Sequence, residues 1–132
     1  LRIFDPNGVD LSGGERQRVF IAMALAQKSK ILFLDEPTTY LDIYHQIELL
    51  ELIKELKEKE GLTIVMVLHD INQALTYSDN IIVMKNGKLI KSGKSSAVIS
   101  MNLLNDVYDI GGFLSTQKDN MYFVPMKKEL QK

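Results

Sequence analysis

The chain of 132 residues sets 16 Lys+Arg against 17 Asp+Glu, a formal net charge of −1, with 45% apolar and 25% charged residues and no Cys. That composition is too apolar for a disordered chain and too evenly charged for a general nucleic-acid or anionic-lipid binder, and the sequence lacks the run of about 18 apolar residues that a membrane span needs. Without cysteine there is no disulfide framework and no thiolate metal site, which fits a reducing compartment; the length suits one domain with a real core. The chain starts at Leu1, with neither initiator Met nor targeting signal, so a part of a longer polypeptide is one expectation from the outset.

Residues 5–8, Asp-Pro-Asn-Gly, are a turn signal. Ser12 followed three residues later by Glu15 has capping-box spacing and precedes an apolar-rich run. That predicts a helix over 12–27, with Val19, Phe20, Met23 and Ala26 on its buried face. Ile31–Leu34 is a continuous apolar run, as in a parallel strand buried on both faces, and Pro37 ends it. Ile43, Ile47, Leu50, Ile53 and Leu56 recur at steps of three and four and predict an amphipathic helix over 43–59, stopped by Gly61. A second buried strand over 62–68 completes a βαβ unit with parallel strands.

Asp70 is placed to cap a short helix reaching about Tyr77. Asn86-Gly87 between the apolar runs 81–84 and 89–92 is a hairpin signal. One or two short helices are expected over 95–109, the first capped by Ser95 or Ser96. A final hairpin of 113–116 and 121–125 is expected about Asp119-Asn120, packed on the domain or touching a partner. No repeat or low-complexity linker interrupts the chain.

Chemistry concentrates at three places. Asp35 and Glu36 stand at the carboxyl end of the first buried strand, where α/β sheets bind ligands. Alternation along a strand points such neighbours in different directions. The bland alternative, a turn cap beside a solvated glutamate, has about even odds for an isolated Asp-Glu pair. Ser12-Gly13-Gly14 opens a helix whose free N–H groups and partial positive charge suit a phosphate, although in isolation a plain capped helix is the commoner meaning. His69 directly follows the second strand and so falls at the same edge as Asp35 and Glu36. A lone His there is more often a turn residue, and His45, within the amphipathic helix, reads as surface or partner-facing. Two His so separated make no metal cluster. Gly87 to Ser95 resembles a phosphate loop but has five residues between its glycines where four are required. It follows a hairpin turn instead of joining a buried strand to a helix, so the phosphate-loop reading is rejected.

Taken together these segments are recognisable. Leu11-Ser12-Gly13-Gly14-Glu15, followed by Arg16-Gln17-Arg18, resembles the signature motif of ABC transporters. Ile31–Pro37 resembles Walker B with its glutamate, Thr38-Thr39-Tyr40-Leu41-Asp42 the D-loop, and His69 the switch histidine. The four occur in the family's order and spacing, over about residues 9–110. The Thr-Thr-Tyr-Leu-Asp-Ile run with His45-Gln46 is further similar to ATPase subunits of iron–siderophore, haem and cobalamin importers. No Walker A, Q-loop or adenine-stacking aromatic accompanies them.

The resemblance implies an α/β fold, the carboxyl-terminal part of a P-loop NTPase (ABC ATPase) domain: a parallel βαβ core plus a hairpin and short helices. Residues 1–110 would form the carboxyl-terminal half of the nucleotide-binding domain and 111–132 a tail. It implies an ATP-hydrolysing importer subunit, cytoplasmic and peripheral on the inner face of the membrane, with ATP and Mg²⁺ as cofactors. Asp35 would be the metal ligand, and Glu36 and His69 the catalytic pair. Leu11, Ser12, Gly13, Gly14, Glu15 and Asp42 would form the cofactor-binding set, the signature residues reaching the nucleotide held by a second ATP-binding subunit in a head-to-tail dimer. Transmembrane permease subunits would be the other partners, with no nucleic acid and no direct membrane insertion. Without a phosphate cradle this chain alone is expected to be nearly inactive. In the family's strand order the second strand would keep an unpaired apolar edge, which predicts dimerisation, swapping or aggregation. A non-transport ATPase of DNA repair or the ribosome is the alternative, against which stand the lack of a heptad arm and of a basic stripe. A non-enzymatic module of the same architecture is the other.

Overall fold

The computed structural model describes residues 13–129, which fall into two compact units divided between Leu68 and His69. The first holds α1 (Gly13–Ala26), β1 (Ile31–Asp35), α2 (Ile43–Glu60) and β2 (Thr63–Val67). β1 and β2 pair in parallel, Ile31 opposite Thr63 through Asp35 opposite Val67, so the expected βαβ unit is present.

α2 starts on an Asp42 cap whose carboxylate accepts the His45 N–H at 3.0 Å. It ends at Gly61, whose left-handed φ of 62° lets its N–H return to the Lys57 carbonyl. Leu49, Leu50 and Ile53 are its buried residues. With Ile21 of α1 they make the core of this unit, joined by half-buried Leu25, Leu34, Leu41, Leu56 and Ile64.

Three expectations about burial need correction here. Of the predicted α1 face, Phe20, Met23 and Ala26 are exposed, and Ile21 with Leu25 points inward instead. Residues 19–26 are apolar almost all round, so periodicity alone could not phase that helix. Along α2 the buried stripe begins only at Leu49, leaving Ile43 and Ile47 exposed. The strands are also not covered on both faces. Paired residues of a parallel ladder share a face, so Leu32, Leu34 and Ile64 lie against the helices, while Ile31, Phe33, Val65 and Val67 share the other face. Phe33 is 74% exposed and Ile31 51%. Among the described residues the helices of this unit cover one side of the pair, which is why a continuous apolar run shows an alternating burial pattern.

The second unit runs α3 (Ile71–Tyr77), β3 (Asn80–Lys85), β4 (Lys88–Lys94), α4 (Ser95–Val98), α5 (Met101–Tyr108), β5 (Gly111–Gln117) and β6 (Asn120–Met126). Its core is Ile81, Val83, Val98, Ile99, Leu103, Leu104 and Phe123. β3 and β4 form the predicted hairpin, with Asn86 and Gly87 both at positive φ, the two-residue turn that matches strand twist. α4 has no side-chain cap from Ser95 or Ser96, Lys94 standing at its N-cap without one, whereas α5 is capped by Ser100.

In the last hairpin the loop residues are Lys118 and Asp119, one position before the predicted centre. That register sets Leu114 opposite Phe123, pairing the two apolar side chains on the covered face. Gly112, at φ 133°, is required beneath them: a Cβ there would run into the Val124 carbonyl. Asn72 of α3 closes the outer side of β6, donating to the Phe123 carbonyl at 2.9 Å and accepting the Phe123 N–H at 2.7 Å. The carboxyl-terminal hairpin is thus part of the core of its own unit.

Candidate functional site

The carboxyl end of β1 is the best-built feature of the first unit. Asp35, the last strand residue, is exposed on the uncovered face beside Val67. Glu36 continues the ladder, its N–H donating to the Val67 carbonyl at 3.1 Å. It then turns the chain sharply, with a left-handed φ of 51°. A non-glycine residue held there costs about 1–3 kcal/mol and persists only where the surroundings over-determine it.

What over-determines Glu36 lies just after it. Pro37 and Thr38 are buried. The Thr39 N–H donates to the Glu36 carbonyl at 3.2 Å, and the Thr39 hydroxyl donates to Glu36 Oε2 at 3.3 Å. The loop then passes Tyr40, fully exposed and again at positive φ, and the Leu41 N–H returns to the Thr38 carbonyl at 3.3 Å. Gln46 of α2 ties the loop down by donating to the Leu41 carbonyl at 2.8 Å. From the sequence, Thr39 and Gln46 enter only as members of the D-loop and importer-group resemblances, with no contact of their own. The only signal was spacing, a hydroxyl three residues after a carboxylate and an amide at the first turn of the following helix.

The predicted site residues divide between the two units. Asp35, Glu36 and Asp42 belong to the first, along one strand–loop–helix segment, with Asp42 spending a carboxylate oxygen on the α2 cap. His69 is exposed and opens the second unit, immediately before Asp70, which caps α3 through the Gln73 N–H at 3.0 Å. Gly13 and Gly14 are the first two residues of α1, and Glu15 is exposed in its first turn. Leu11 and Ser12 lie outside the described residues, and with them the proposed Ser12 cap. The helices α1 and α2 are bridged by Arg18, 2.7 Å from Glu48, which also meets His45 Nδ1 at 3.3 Å. Those contacts, the histidine first and then the guanidinium, hold the Glu48 carboxyl below the usual glutamate range.

Mg²⁺ is ordinarily held by one or two carboxylates together with substrate phosphates. The accessible carboxylate of Asp35 fits that donor set, and no group of three or more His, Asp or Glu among the described residues would hold a metal without a nucleotide.

The class of protein follows from solved structures of the same architecture. A metal-chelate-type ABC transporter in an inward-facing conformation superposes with a TM-score of 0.78 at 29% identity, over 88% of this chain and 48% of that one. A dimeric ATP-binding cassette in a post-hydrolysis state with ADP and Pi superposes with a TM-score of 0.57 at 42% identity, over 69% of this chain and 38% of that one. The fold is that of part of an ABC ATPase domain. Residues 2–39 match the ABC transporter family model, and the petrobactin import ATP-binding protein FpuC of Bacillus anthracis is 49% identical over 117 residues. The chain matches part of the ATP-binding subunits of ABC transporters. It covers 43% of the length of FpuC, which in turn matches 89% of this chain.

Proposed function

We propose that this chain supplies the signature, Walker B, D-loop and switch-histidine segments of an ATPase that drives import of an iron chelate. The observation that carries the reading is the β1–α2 segment. Asp35 ends the strand accessibly, Glu36 is locked in a strained turn beside it, and a loop pinned by Gln46 and Asp42 leads into α2. The substrate class rests on similarity to a petrobactin import protein and to a metal-chelate-type transporter.

Bound ATP with Mg²⁺ would supply the phosphoryl group and the charge that neutralises its oxygens. Asp35 would bind that metal. Glu36 would orient and polarise the attacking water, His69 would donate a hydrogen bond to the terminal phosphate, and Asp42 would link the two sites of a head-to-tail dimer. Leu11 to Glu15 would face the nucleotide of the opposite subunit, where the start of a helix suits a phosphate. The work is positional and electrostatic, since phosphoryl transfer leaves little covalent chemistry to protein groups. Residues 1–110 would make up the nucleotide-binding part and 111–132 an appendage packed through Phe123. Permease subunits would bring the ATPase to the inner face of the membrane; among the described residues no helix is long and apolar enough to cross one.

The sequence has no Gly-x-x-x-x-Gly-Lys-Ser/Thr loop to cradle the β-phosphate. Calorimetric titration of Mg-ATP into the isolated 132-residue chain should therefore give no binding tighter than the millimolar range. Micromolar binding by this chain alone would overturn the proposed division of labour.

A further inference from the structure

Resting on the reading of Glu36 as the water-polarising carboxylate, we propose that Thr39 is a positioning residue that aims it. A glutamate at the end of a strand has three rotatable side-chain bonds, and its carboxylate must nevertheless point one way for water to be held in line. Two bonds join Thr39 to Glu36. The backbone bond of 3.2 Å closes the turn and brings residue 39 back over residue 36, and the hydroxyl bond of 3.3 Å engages Oε2.

Thr39 is itself well referenced. It follows buried Pro37 and Thr38. The next turn is closed by the Leu41 N–H on the Thr38 carbonyl, and that loop is fastened to α2 by Gln46. A β-branched side chain has few rotamers, so fixing its backbone goes far towards fixing its hydroxyl. The bond engages Oε2 and leaves Oε1 outside this contact. Glu36 itself sits at a left-handed φ of 51°, at the turn that Thr39 closes.

The test compares Thr39→Val, which keeps the shape and loses the donor, with Thr39→Ser, which keeps the donor. Both are measured in an ATP-binding subunit that carries this sequence with a phosphate loop and is assembled with its permease. We expect Thr39→Val to lower kcat about tenfold, the size of one hydrogen bond to a charged group, with KM for Mg-ATP unchanged. Thr39→Ser should restore the rate. Should Val disturb folding, seen as a loss of far-UV circular dichroism, Thr39→Ala carries the same expectation. A wild-type kcat in Thr39→Val, failure of Thr39→Ser to rescue, or a raised KM at unchanged kcat would overturn the proposal while leaving the Glu36 reading intact. Normal turnover in Glu36→Gln alone would overturn both.

Discussion

Asn72 ties α3 to β6 within the second unit. Its amide takes both backbone groups of Phe123, a residue 51 positions away, at 2.9 and 2.7 Å, and so occupies the place a further strand would fill on the edge of β6. Asn72→Ala removes two hydrogen bonds worth about 0.5–1.5 kcal/mol each and leaves a partly buried N–H and C=O unpaired. The expected loss is about 2 kcal/mol, a shift of up to about 30-fold in the folding equilibrium.

Asn72→Asp separates the two bonds by pH. Ionised, the carboxylate still accepts the Phe123 N–H but repels the Phe123 carbonyl; protonated, it can donate to that carbonyl. Folding therefore raises its pKa, and the stabilisation is fully present below the unfolded value of about 3.9 and lost as pH rises through the higher folded value. Urea unfolding followed by circular dichroism, with hydrogen exchange at the Phe123 amide, measures both effects. An Asn72→Ala variant within 0.5 kcal/mol of wild type, with unchanged exchange at Phe123, would refute the reasoning. So would an Asn72→Asp variant equally stable relative to wild type in acid and at neutral pH.

Asp42→Ala removes the α2 cap and should cost about 0.5–2 kcal/mol in urea unfolding, with Asp42→Asn losing much less; equal losses would place the effect in charge and not in the cap. The Glu48 carboxyl should titrate below the ordinary glutamate range by NMR, and Arg18→Met should raise it. Because its folded pKa is depressed, its small contribution is present above the unfolded value and fades as pH falls through the folded one; an unmoved titration in Arg18→Met would contradict this. The uncovered face of β1 and β2 should promote self-association of this chain, and Phe33→Ser should weaken it in sedimentation velocity. Concentration-independent monomers for both proteins would contradict that.

Much of this molecule is legible from sequence because its signals are local. Gly61 stops α2, Asp70 caps α3 and Asn86-Gly87 makes the turn, each through backbone chemistry within a few residues. The motif order from Leu11 to His69 is a matter of sequence spacing alone. What escaped were choices settled by distant neighbours. The inward side of α1 is fixed by Leu49 and Ile53 meeting Ile21 and not by its own period, and the last hairpin takes its register from Leu114 meeting Phe123. The lock on Glu36 depends on a left-handed backbone that no propensity assigns to glutamate.

The other proposed roles depend on that of Glu36, and one substitution checks it. In an ATP-binding subunit carrying this sequence with a phosphate loop, Glu36→Gln should abolish steady-state ATP turnover while Mg-ATP binding is retained. Loss of binding with turnover per bound nucleotide unchanged would contradict it.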